Sequence, residues 1–194
     1  MVGSAFFALG ALPGYVHIVG ETIGNATFFV GSIFFTAAAL VQWTLAGAER
    51  HAWRLPELRD DWWAAAIQAV GTVLFNISTF AALVVEGAEA VDRAVWRPDA
   101  YGSACFLVAS VLAMTPLAHR RRLLRHGSRA SAAAWLNMAG SVAFAGSAVG
   151  AYVVPGSGEV TNAALVNVGT FVGALCFMVA AQLVLPPRPS RIPA

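Results

Sequence analysis

The chain has 194 residues, 58% of them hydrophobic and only 11% charged, with a mean hydropathy of +0.68. Soluble domains carry about 25% charged residues, so most of this chain belongs in lipid, and no soluble catalytic domain remains to be placed. The net charge of +2 is too small to argue for a nucleic-acid partner.

Six apolar runs follow one another. The first is Met1 to Val16, with Pro13 near its outer end, and it is short for a span. The second goes from about Ile23 to Ala46. A loop of mixed charge follows, from Glu49 to Asp61, and Trp62 and Trp63 open the third run, which ends near Val85. The next loop holds Glu86, Glu89, Asp92, Arg93, Arg97 and Asp99. Run four is Ala100 to Leu117, stopped by the basic stretch from His119 to Arg129. Run five is Ala130 to Val154, closed by Pro155-Gly156-Ser157-Gly158. Run six is Val160 to Leu185, and a short tail follows Pro186-Pro187. A helix of about 20 residues crosses a bilayer. The expectation is an all-α integral membrane protein with six transmembrane helices in one membrane domain. It is built as three repeated hairpins, about 1–48, 61–118 and 130–185, with a tail at 186–194.

Arginine placement sets the orientation. Ten of the twelve arginines fall in the 2–3 loop, the 4–5 loop and the tail, and only Arg93 and Arg97 fall on the other side. Both termini are therefore expected in the cytoplasm. Trp43, Trp62, Trp63 and Trp135 fall near the inner interface, and Trp96 and Tyr101 near the outer one. Every basic residue is arginine, which points to a GC-rich genome and to a multi-pass protein of the bacterial inner membrane. Cys105 and Cys176 both sit in apolar runs and read as reduced, small apolar fillers.

A glycine followed by a small residue recurs in every run: Gly3-Ser4, Gly31-Ser32, Gly71-Thr72, Gly102-Ser103, Gly140-Ser141 and Gly169-Thr170. In the odd runs Phe7, Phe75 and Phe144 stand four residues after the glycine. In the even runs Phe35 and Phe106 do the same, whereas the alignment on Gly169 puts Gly173 in that place. Lipid gives no hydrophobic drive between helices, so small residues line the interfaces and let backbones approach. These pairs are expected to be helix-packing positions. Copies two and three also carry Gln68 and Asn137 three residues before the glycine. Copy one has no room for an equivalent, so its first helix lacks about two inner turns: either the start lies upstream of Met1, which is the expectation, or the first helix stops short of the inner surface.

Glu21, Asp92 and Glu159 each stand ten residues before an even-run glycine. Two readings stay open: an acidic ring at the outer mouth that attracts cations, or acids that cap helix N-termini. Asn76 is the deepest polar residue, either a bond to a neighbouring helix or a contact on an ion or substrate path. His17, His51, His119 and His126 lie in loops or at span ends, with no pair at the depth that haem ligation needs. No nucleophile–base constellation, metal-ligand spacing or phosphate loop is visible. The sequence thus implies no catalytic residue, cofactor or metal. It implies a non-enzymatic structural, sensing or accessory bundle, with a small channel or transporter with an acidic outer mouth as the alternative. Its expected partners are membrane lipid and a second copy or another membrane protein.

The run Asn25, Phe28, Phe29, Gly31, Ser32, Phe35, with the return helix carrying Gly71, Phe75 and Gly102-Ser103, resembles YrhK-like small bacterial membrane proteins. The resemblance covers the first two hairpins. It implies a membrane location and brings no catalytic residues, and the family has no assigned function.

Overall fold

The structure, a computed structural model, describes residues 1–48, 56–119, 121, 123, 127–154 and 159–185, the side chains of 56–59 excepted. Arg50, Arg54, Arg120, Arg122, Arg125, the Pro155–Gly158 stretch and the tail with Arg188 and Arg191 lie outside the described residues. The helices are α1 (Val2–Gly10), α2 (Tyr15–Val19), α3 (Glu21–Ala48), α4 (Pro56–Val84), α5 (Ala88–Val91), α6 (Arg97–His119), α7 (Arg129–Gly150) and α8 (Ala163–Val184). A π-helical turn, Asp92–Trp96, joins α5 to α6. Among the described residues the only extended pairing is an isolated bridge between Val153 and Val160. Five helices are long and apolar enough to cross a membrane: Glu21–Ala48, Asp60–Val84, Ala88–His119, Arg129–Gly150 and Ala163–Val184.

Two segments differ from the sequence expectation. The first apolar run is not one helix. α1 stops at Gly10, after about 14 Å of rise, and Gly14 in the left-handed region starts the separate short helix α2. The stretch 88–99, read as loop from its charges, is helical. Pro98 explains the π-helical turn: its ring would clash with the carbonyl four residues back and it has no N–H to donate. The chain answers by widening the turn, and the Arg97 N–H donates to Asp92 O instead.

The interior is inverted relative to a soluble protein. The buried residues are small, such as Ala39, Ala109 and Ala174, together with Ser32, Thr72 and Ser141 and a few phenylalanines. The outward residues are large and apolar, including Ile33, Val70, Ile77, Val108, Val142 and Val168. In water this arrangement would expose an apolar belt far beyond what a monomer tolerates. In hydrocarbon it costs nothing, and small residues inside let the helices close up.

The helices form a closed ring: α1 packs on α3, α3 on α4, α4 on α6, α6 on α7, α7 on α8, and α8 back on α1. Three of these contacts are close glycine approaches between antiparallel neighbours. A Cβ on Gly3 would lie 2.7 Å from Gly31 O, one on Gly71 3.0 Å from Gly102 O, and one on Gly140 3.1 Å from Gly173 O. The last pair corrects the register read from the sequence. The residue that meets Gly140 is Gly173, not Gly169, because Gly173 stands four before Phe177 as Gly31 stands four before Phe35 and Gly102 four before Phe106. Gly169 packs one turn away, where a Cβ would meet Ala143 O at 2.6 Å and Ser147 N at 2.9 Å.

Hydroxyls and amides fasten the ring between these approaches. Asn25 Nδ2 donates to Ala82 O at 2.8 Å, and Ser32 and Thr79 share a 3.0 Å bond across α3 and α4. Ser110 and Ser141 share one of 2.8 Å across α6 and α7, and Ser147 and Thr170 one of 2.8 Å across α7 and α8. Ser32 and Thr72 also bond back to Phe29 O and Ala69 O, so their donors are not stranded in an apolar interior. The Gly169→Ala substitution is expected to destabilise the detergent-solubilised protein by about 1–3 kcal/mol, because the obstructing atoms are backbone. Gly146→Ala, whose Cβ would meet only Leu165 at 3.9 Å, should be neutral or slightly stabilising. Thermal melts followed by circular dichroism compare the two.

Candidate functional site

The helix ring converges on six phenylalanines, each four residues after a glycine: Phe7, Phe35, Phe75, Phe106, Phe144 and Phe177. Phe7, Phe75 and Phe144 come from α1, α4 and α7. Their ring centroids are 6.4, 5.9 and 5.8 Å apart. Phe35, Phe106 and Phe177 come from α3, α6 and α8, at 6.4, 6.2 and 5.5 Å. The two triangles stack, because each ring also touches its partner in the adjacent antiparallel helix: Phe7–Phe35 at 5.2 Å, Phe75–Phe106 at 5.1 Å and Phe144–Phe177 at 5.3 Å. Such edge-to-face and offset pairs add about 0.5–1.5 kcal/mol each beyond burial. All six rings are buried or nearly so, with Phe75 and Phe106 at 2% and 1% exposure. They fill the centre of the bundle at this level with aromatic rings.

The plug separates two cavities. At the end where α3 turns to α4 and α6 to α7, a cavity of about 130 Å³ lies below Phe35 and Phe177 and is lined by Met1, Gln42, Gln68 and Asn137. At the opposite end a cavity of about 240 Å³ lies above Phe7, with Phe28, Trp96, Asp99, Ser147 and Thr170 among its walls. Phe28, Asp99 and Thr170 occupy equivalent places, each three residues before Gly31, Gly102 or Gly173. The backbone delivers Asp99 there through the π-helical turn. Trp96 is fixed by its indole N–H, which donates to Ala148 O at 2.8 Å, and by an edge contact with Tyr152.

The expected packing residues Ser4, Ser32, Thr72, Ser103 and Ser141 are buried at 2% exposure or less, and Thr170 is half-buried. The acids behave separately. Glu21 is exposed at the first turn of α3, and Glu159 is exposed beside the Val153–Val160 bridge. Asp92 is held by Arg97, at 2.9 Å. The three do not gather into a group able to hold a metal ion. Asn76 Nδ2 donates to Thr36 Oγ1 at 2.8 Å between α4 and α3, while its Oδ1 is buried without a partner among the described residues.

Asp99 is the residue that sequence reasoning missed. Four other ionisable residues precede it within eleven positions, so by sequence it belongs with a charged loop. Its signal was the spacing to Gly102, which matches that of Phe28 to Gly31.

Residues 61–155 match the model of the family described as YrhK-like protein. The segment from α4 through α7 is thus YrhK-like, just under half of the chain. Gly71, Phe75, Gly102 and Ser103 lie inside the match, and Asn25, Phe28, Gly31 and Phe35, which also suggested the resemblance, lie outside it. No curated protein and no solved structure matches the chain.

The rings and the deep amide differ in what they hold. Phe106→Ala should cost about 3 kcal/mol, since the vacated volume is enclosed on every side. Asn76→Leu should change stability by less than about 1 kcal/mol, because an interhelical bond in lipid averages roughly 0.6 kcal/mol and the substitution also removes an unpartnered carbonyl. Reversible unfolding in bicelles measures both.

Proposed function

We propose that this chain, YrhK-like over its central half, is a non-enzymatic polytopic protein of the bacterial inner membrane whose axis is held shut. It serves as a structural, sensing or accessory bundle. Its architecture is three repeated helical hairpins with six membrane helices, α1 being the short one, and both termini on the cytoplasmic side. The single observation that carries this reading is the six-phenylalanine plug, with one ring from every helix of the closed ring. The hairpin repeat is supported by the three matched glycine approaches, and the orientation by the excess of arginine in the 49–59 and 119–129 segments and the tail.

A second reading is favoured by one observation. Cavities flank the plug on both sides of the same axis. This is the layout of a pore closed by a hydrophobic constriction, which gates by excluding water. In that reading Glu21, Asp92, Glu159 and Asn76 belong to the ion path.

Flux separates the two. Reconstituted into liposomes, the protein should pass potassium and sodium no faster than protein-free vesicles, and Asp92→Asn should leave that rate unchanged. Cation flux above the protein-free rate, reduced by Asp92→Asn, would establish the channel. Orientation is checked by single cysteines at Ser128 and at Glu86, introduced in a background without Cys105 and Cys176. In whole cells an impermeant maleimide should label the second and not the first.

A further inference from the structure

The cavity above Phe7 holds an unspent carboxylate. Asp99 makes no hydrogen bond or ion pair with any described residue. The nearby arginines are committed elsewhere: Arg93 pairs with Glu89, and Arg97 with Asp92. Several polar groups around Asp99 are spent within the protein, whereas the Ser78 hydroxyl and Asn25 Oδ1, also in the cavity wall, have no hydrogen bond among the described residues. Ser147 donates to Val166 O at 3.0 Å and shares a bond with Thr170, Thr79 donates to Phe75 O, and Asn25 donates to Ala82 O. The indole N–H of Trp96 points at Ala148 O, so what Trp96 offers the cavity is its ring. One negative group, the Ser78 hydroxyl, Asn25 Oδ1 and aromatic surfaces from Phe7, Phe28 and Trp96 remain for an occupant.

A half-buried carboxylate without a partner among the described residues, in a half-open cavity, favours a counter-charge, and aromatic faces attract cations that carry little water. The walls offer few unused hydrogen-bond partners, which disfavours a heavily hydrated or multiply donating cation. At about 240 Å³ the cavity is smaller than the roughly 300–1,000 Å³ typical of drug-sized pockets. We propose that this cavity is a binding site for a small lipophilic organic cation, a quaternary or tertiary ammonium whose charge faces Asp99 and whose apolar body packs against Phe28 and Trp96. The site needs no open axis, so it stands or falls apart from the shut-bundle reading.

Equilibrium dialysis tests it with the full chain in lipid nanodiscs and radiolabelled benzyltrimethylammonium as the probe. Saturable binding at one site per chain is expected, with no competition from neopentylbenzene, the uncharged carbon isostere. Asp99→Asn should weaken binding at least tenfold and Phe28→Leu about threefold, while Glu86→Gln, at an exposed acid of the same end, should leave it as it was. Absence of saturable binding in the unmodified protein overturns the proposal, as does equal competition by the isostere. Unchanged binding by a folded, monodisperse Asp99→Asn protein overturns it too. If Asp99→Asn does not fold, unchanged binding by Phe28→Leu overturns it.

Discussion

Each central phenylalanine of this bundle lies against a glycine of the antiparallel helix beside it, and that glycine's own helix returns a phenylalanine four residues on. A Cβ on Gly31 would strike the Phe7 ring, one on Gly102 the Phe75 ring, and one on Gly173 the Phe144 ring. The missing side chain is what lets the ring lie flat across the neighbour and reach the axis. Six such steps bring each ring within 5.1–6.4 Å of at least three others. The rest of the interior can then be made of alanine and serine, since the bulky volume is supplied at one level.

The environment explains why so few large side chains face inward. In water, burial of leucine and valine would drive association. Between lipid tails that drive vanishes, and contact area and hydrogen bonds remain. The chain meets this with hydroxyls that serve two partners. Ser141 bonds Phe106 O at 3.1 Å and shares a bond with Ser110, and Ser147 bonds Val166 O and Thr170. Each bond is weak, yet each joins two helices of the ring at a point where the backbones are already close.

The plug lies between two cavities of different lining. Below it the cavity walls carry three amides, Gln42, Gln68 and Asn137; above it they carry rings, hydroxyls, the Asn25 amide and one carboxylate. Arg93 with Glu89 and Arg97 with Asp92 form exposed or half-exposed pairs at the upper end that leave Asp99 aside. That separation of paired surface charge from one unpaired inner acid gives the upper cavity its chemistry.

The long apolar helices and the close-packed glycines were legible in the sequence, because each is a local property: hydropathy over twenty residues, or a small residue returning every turn or two. Asn76 was likewise readable as an interhelical amide. The register of α8 was not. Gly169 and Gly173 are both glycines on similar faces, and only the seating of Phe144 against α8 chose between them. Nor was the role of Asp99 visible, since a run of charges reads as solvated surface until the fold shows which member turns inward. The break after Gly10 and the helical course of 88–99 depended on backbone geometry at Gly14 and Pro98. Periodicity states which residues share a face. Which faces meet, and at what height, is settled only when the ring of helices closes and every side chain must find room at once.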